Sequence, residues 1–259
     1  MLLITEAQIA QFVGQFMWPL FRITALFMSM PVIGTQLVPA RVRIVLGIAL
    51  TLLVAPLLPA MPAVPPLSIQ SLLIVMQQVF IGLTMGFFLQ VFFQIFVLAG
   101  QFISMKMGLG FAAMNDPSSG VSVTVISQYY LILATLLFLV MNGHLVVIEM
   151  VVESFSLIPV AGHGITAEWF WNIAVSGSWL FSRALLIALP VLAALLIVNL
   201  GFGVMSRAAP QMNVFSVGFP ITLLLGLALI WLSLGNFVPI YQLFFEEALS
   251  FLYNMVGAP

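Results

Sequence analysis

The sequence predicts an all-α, membrane-class bundle of about six long hydrophobic helices, and three observations carry that prediction. Charge is scarce: only 5% of the 259 residues are charged, against about 25% in a soluble domain. Apolar side chains make up 63% of the chain, more than a soluble fold of this length can hide. The charges are also spaced far apart. Residues 44–105, 117–148, 184–206 and 208–245 hold none, and a helix needs roughly 20 apolar residues to cross the hydrocarbon core.

The same composition excludes several functions. Net charge is −1 and there is no basic run, so nothing points to a nucleic-acid partner. There is no cysteine, which excludes disulfides, iron–sulfur clusters and thiolate zinc sites. The two histidines are isolated, and no carboxylate spacing resembles a metal-ligand set. Neither paired carboxylates, a nucleophile–base pair nor a nucleotide-binding loop is visible. No cofactor and no enzymatic activity are expected. The N-terminus does not read as a cleavable signal peptide, because the first cation is Arg22 and no basic stretch precedes the apolar run.

The first helix is expected over 5–30. Thr5 and Glu6 supply a cap and an acid at its positive end. Gln8, Gln11, Gln15, Arg22 and Thr24 make one side polar. Arg22 facing lipid near the helix middle would cost about 2.5–3.5 kcal/mol. It is therefore expected to face a partner chain or a cavity, with snorkelling to an interface as the plainer alternative. A loop follows, broken by Pro31, Gly34 and Pro39 and ending in Arg41 and Arg43. The positive-inside rule makes it cytoplasmic. The second helix, over 42–57, runs into a proline cluster at 56, 59, 62, 65 and 66, which reads as an extended linker.

The third helix, over 68–105, is long for one span. Gln90, Gln94 and Gln101 fall at i, i+4 and i+11. Their amides need partners when buried, so they either line a hydrated lumen or join helices. Gly82, Gly86 and Gly100 permit close helix approach.

Residues 100–120, GQFISMKMGLGFAAMNDPSSG, interrupt this apolar sequence. They hold the only lysine, Lys106, the only aspartate, Asp116, and Met105, Met107 and Met114. An irregular backbone here cannot face lipid, where its N–H and C=O groups would lack partners. It belongs at a water boundary, inside protein or along an aqueous path. Leu109, Phe111 and Met114 favour burial, the glycines at 108 and 110 allow unusual backbone angles, and methionine adapts its shape. Asp116 and Pro117 belong to a turn and helix-start signal. The segment reads either as a soft flap that seals a pore or as a tight re-entrant turn packed in a core.

The fourth helix is expected over 118–157. Glu149 and Glu153 sit four apart on one face, which is unfavourable without a cation or solvent. They read as an aqueous helix end or, in a transporter, as a proton relay. The fifth helix starts near 166. Asn172, Ser176 and Arg183 form a second polar stripe, and Pro190 is expected to kink it. GFGVMSRAAPQMNVFSVGFP, containing Arg207, Pro210, Gln211 and Asn213, reads as a second cytoplasmic tip. A sixth helix spans 215–234. The tail, 238–256, is amphipathic and reads as an interfacial or partner-binding helix. Cations thus gather on loops one, three and five and acids on the other side, which places both termini outside.

Three segments in this order, RITALFMSMPVIGTQLVPARVR, GQFISMKMGLGFAAMNDPSSG and GFGVMSRAAPQMNVFSVGFP, resemble the FliR family of flagellar and virulence-type export-gate proteins. The resemblance covers essentially the whole chain. It implies one helical subunit over 1–259, similar to FliP in 1–160 and to a FliQ hairpin plus tail helix in 161–259. It further implies a non-enzymatic gate subunit in the bacterial inner membrane at the flagellar basal body. Its partners would be FliP, FliQ, FlhB and unfolded export substrates. Helices of this family sit largely above the membrane plane in a protein collar, and hydrophobicity alone does not distinguish a collar from lipid. Lys106, Met107, Gly108, Leu109, Gly110, Phe111, Met114, Asp116 and Pro117 would form the pore plug, with Gly108 and Gly110 as hinges. Arg22, Gln90, Gln94, Gln101 and Arg183 would face partners or the lumen. The rival reading is a proton-coupled transporter acting as a lone chain through Arg22, Glu149, Glu153 and Arg183. It calls for an inverted repeat, and none is visible.

Overall fold

The computed structural model describes residues 6–35, 38–65, 68–110, 124–162, 166–208 and 214–256, and every regular element among them is helical. The helices are α1 (Glu6–Ser29), α2 (Ala40–Val54), α3 (Ile69–Lys106), α4 (Val125–Val140), α5 (Gly143–Leu157), α6 (Ala167–Ala208), α7 (Val214–Ser233) and α8 (Phe237–Val256). Most bounds fall within two residues of the sequence expectation.

Three features stand out. The fourth expected helix is two, because the chain turns at Asn142, whose φ is +56°. The Asn142-Gly143 pair is a turn signal, easily passed over inside an apolar run. Among the described residues four helices, or five if α4 and α5 count as one broken span, are long and apolar enough to cross a membrane. Pro190 lies within α6, which continues through it from Ala167 to Ala208.

Contacts divide the chain into two compact units: residues 1–91, 139–176 and 247–259, and residues 92–138 and 177–246. In the first unit, α1 and α3 approach closely at Gly82. A Cβ there would lie 2.2 Å from the Arg22 carbonyl oxygen. Small residues permit such backbone proximity between apolar helices.

The proline linker is tied to this unit. Trp18, Val54, Leu58, Met61, Val64, Ile74, Phe155 and Val160 form one buried cluster. A proline-rich backbone cannot satisfy itself in a ladder, and Gln15 supplies the missing partner. Its Nε2 donates to the Ala55 carbonyl at 2.7 Å, and the Met61 amide donates to its Oε1 at 3.2 Å. Gln15→Leu should therefore cost about 1–3 kcal/mol, the penalty for leaving buried groups unpaired. The check is a lowered thermal midpoint together with new protease cleavage in the linker. An unchanged midpoint would remove Gln15 from this role.

The second unit has an aromatic core. Phe92 meets Phe93 and Tyr241 at centroid distances of 5.3 Å, both edge-on. Phe96 stacks on Tyr241 at 5.6 Å, and Tyr130 lies 5.6 Å from Phe237. Tilted and edge-on pairs add about 0.5–1.5 kcal/mol each beyond area burial. Phe237, Tyr241, Phe244 and Phe245 of α8 are all buried. The amphipathic tail is thus a core helix, not an interfacial one: its aromatic stripe has a packing face inside the chain. α6 is the opposite case, with Leu186, Leu189, Ile197, Leu200 and Val204 exposed. Apolar surface on that scale calls for lipid or partner chains.

Candidate functional site

The central segment leaves α3 through a tight helix cap. The Leu109 amide donates to the Ser104 carbonyl at 3.0 Å, and the Gly108 amide to the Met105 carbonyl at 3.2 Å. These two bonds, around a left-handed residue, make a Schellman motif. Gly108 is that residue, with φ +84°. A Cβ on it would also lie 2.9 Å from Cδ2 of Phe219 on α7. Both backbone angle and space therefore demand glycine here.

Met107 fixes the cap to α7 within the second unit. It is fully buried and lies against Gly226 of α7. A Cβ on Gly226 would come within 2.5 Å of Met107 Cγ, 2.7 Å of Sδ and 2.8 Å of Cε. Met107 is thus an anchor beneath the segment. Leu109 and Gly110 are half-exposed and Lys106 is exposed, and a Cβ on Gly110 would meet Met105 Cγ at an ordinary contact distance of 3.7 Å. Phe111, Met114, Asp116 and Pro117 lie outside the described residues. Sequence reasoning named the glycines but missed Phe219 and Gly226, since contacts 111 and 119 residues away leave no local pattern.

The other polar residues go to different places. Gln90 and Gln94 are exposed and Gln101 is half-buried. Arg183 is half-buried, its guanidinium 5.6 Å from the Phe244 ring centroid. Arg207 is exposed in the last turn of α6, while Pro210, Gln211 and Asn213 lie outside the described residues.

Arg22 lies inside the first unit, 0% exposed. Its Nε donates to Gln78 Oε1 at 2.8 Å. Nη1 donates to the Ser154 carbonyl at 2.8 Å and to Ser154 Oγ at 2.9 Å. Nη2 donates to the Ile158 carbonyl at 3.0 Å, and the Phe155 ring centroid is 4.1 Å from the guanidinium carbon. These carbonyls end α5, so the cation meets the negative end of a helix dipole instead of a carboxylate. Glu149 and Glu153 are exposed on α5.

The fold and the anchored segment define an all-helical protein of the membrane class, with apolar helices left for lipid or partners. Residues 13–248 match the family described as bacterial export proteins, family 1. The chain is 37% identical over 257 residues to flagellar biosynthetic protein FliR of Pectobacterium carotovorum subsp. carotovorum, covering 99% of this chain and 97% of that one. It is 35% identical over 257 residues to FliR of Escherichia coli strain K12, with the same coverage. With FliR of Bacillus subtilis strain 168 it shares 28% over 247 residues, 93% of this chain and 94% of that one. The chain belongs to the FliR family of bacterial export proteins.

Proposed function

We propose that this chain is a non-enzymatic subunit of the flagellar type III protein-export gate in the bacterial inner membrane. With FliP and FliQ, and in contact with FlhB, it forms the pore through which unfolded substrates cross. The segment after α3 helps to close that pore. Residues 1–160 take the FliP-like role and 161–259 the FliQ-like role.

The observation that carries this reading is the base of the central segment. A flap over a pore needs a fixed root and a free path. The Schellman cap and the buried Met107 supply the root. The half-exposed Leu109 and Gly110 supply the start of the path. The exposed apolar length of α6 fits a membrane or collar setting, where lipid or partner chains cover it. The transporter reading gains nothing: Glu149 and Glu153 are exposed, and neutral groups hold Arg22.

The test is ion leak across membranes of cells expressing the assembled complex, with and without residues 108–113. Copurification with FliP and FliQ monitors assembly in parallel. Deletion is expected to raise leak while assembly persists. Intact assembly without added leak would overturn the sealing role.

A further inference from the structure

In the first unit, α1, α2 and α3 enclose an open groove of about 420 Å³, lined by Leu20, Phe21, Met28, Ile44, Ile48 and Leu83 with three smaller neighbours. That size lies within the roughly 300–1,000 Å³ of ligand clefts. Thr24 is the one polar side chain in the lining, and its hydroxyl is already donated to the Leu20 carbonyl at 2.6 Å. The groove itself therefore asks for a hydrocarbon occupant.

One end of the groove is basic. Arg43 reaches Met28 in the groove wall, its Nη1 4.0 Å from the sulfur. The same guanidinium is fixed by the Val38 carbonyl, 3.1 Å from Nε and 2.8 Å from Nη2, and by the Thr35 carbonyl. Arg41 precedes Ile44 and Ile48 at i+3 and i+7, on the same stripe of α2 as those lining residues. It is exposed, and among the described residues it has no partner. No acid occurs between residues 7 and 115, so neither α2 nor α3 offers a countercharge.

We propose that this groove binds an anionic phospholipid. The acyl chain lies between Ile44, Ile48 and Leu83, and the phosphate sits at Arg41 beside the fixed guanidinium of Arg43. A purely apolar partner helix would fill the groove and leave Arg41 unneutralised. A free phosphate would meet the arginines and leave the groove empty. An anionic lipid satisfies both, and basic pockets beside apolar helices are suited to such headgroups. The lipid site stands independently of the pore and its plug.

The test is native mass spectrometry of the full chain in detergent, titrated with phosphatidylglycerol or phosphatidylcholine, alongside quantification of lipid retained through purification. Stoichiometric phosphatidylglycerol is expected, preferred about fivefold over phosphatidylcholine, the factor equivalent to about 1 kcal/mol per basic side chain. Arg41→Gln should bring that preference close to parity. Ile48→Trp, at an exposed position on the groove wall, should abolish retention without changing yield or elution. Ile44→Trp serves if that variant fails to fold. Equal retention of both lipids, or retention unchanged in the tryptophan variants, would overturn the site. So would a crosslink from Ile48 to a partner subunit in a complex that retains no lipid.

Discussion

Arg22→Ala is expected to lower the thermal midpoint of the detergent-solubilised chain by about 10 °C or more. Each buried oxygen left without its donor costs about 1–3 kcal/mol, two are left here, and 1 kcal/mol shifts a domain of this size by about 2–4 °C. Ile158 and Gln78 decide the outcome. Both would keep a buried oxygen whose donor has gone, whereas the Ser154 carbonyl retains the Ile158 amide at 2.9 Å. Arg22→Lys should recover little, because an ammonium cannot span three acceptors in the plane that the guanidinium fork does. Arg22→Met keeps the volume but still strands both oxygens, so it should resemble Ala. Adding Gln78→Leu to Arg22→Met should recover part of the loss. If Arg22→Ala stays within about 2 °C of the parent, less than 1 kcal/mol for this size, the arginine is not the staple described here.

That residue also shows where sequence reading reaches its limit. A lone cation in an apolar helix has many ways to be neutralised, and the cheapest to imagine is a carboxylate or water. The partners used here are backbone carbonyls, which every sequence contains and no sequence displays. They are available because the helix that begins anew at Gly143 ends at Leu157, after a break at Asn142 that the apolar run around it masks. Gln15 repeats the point, since its partners are linker carbonyls and an amide. By contrast, helix bounds followed hydrophobic runs and prolines closely. Gly108 was legible as a special backbone position, because glycine after a long helix and a lysine is a helix-end signature. The packing of α8 was half-legible: its stripe was visible in the sequence, but not the aromatic residues it meets.

Met107→Ala is expected to loosen the root of the central segment. Truncating a fully buried methionine costs about 2–5 kcal/mol, and here the cavity opens directly beneath the cap. Hydrogen exchange at the Leu109 amide, which the Schellman bond protects, should accelerate by orders of magnitude, while amides in the middle of α1 stay unchanged. In cells expressing the complex, leak should rise without loss of copurifying partners. Gly226→Val should do the same from the other side, since three atoms of Met107 lie within 2.8 Å of its Cβ position and overpacking costs about 1–3 kcal/mol. The two changes are complementary in size. Valine at 226 moves into the space that alanine at 107 vacates, so the double variant should exchange more slowly and leak less than either single one. Contacting residues are expected to couple in this way by about 0.5–3 kcal/mol. If the two effects simply add, Met107 and Gly226 do not share one contact. If both single variants exchange faster at Leu109 but neither leaks, the root is real and the barrier to ions lies elsewhere along the pore.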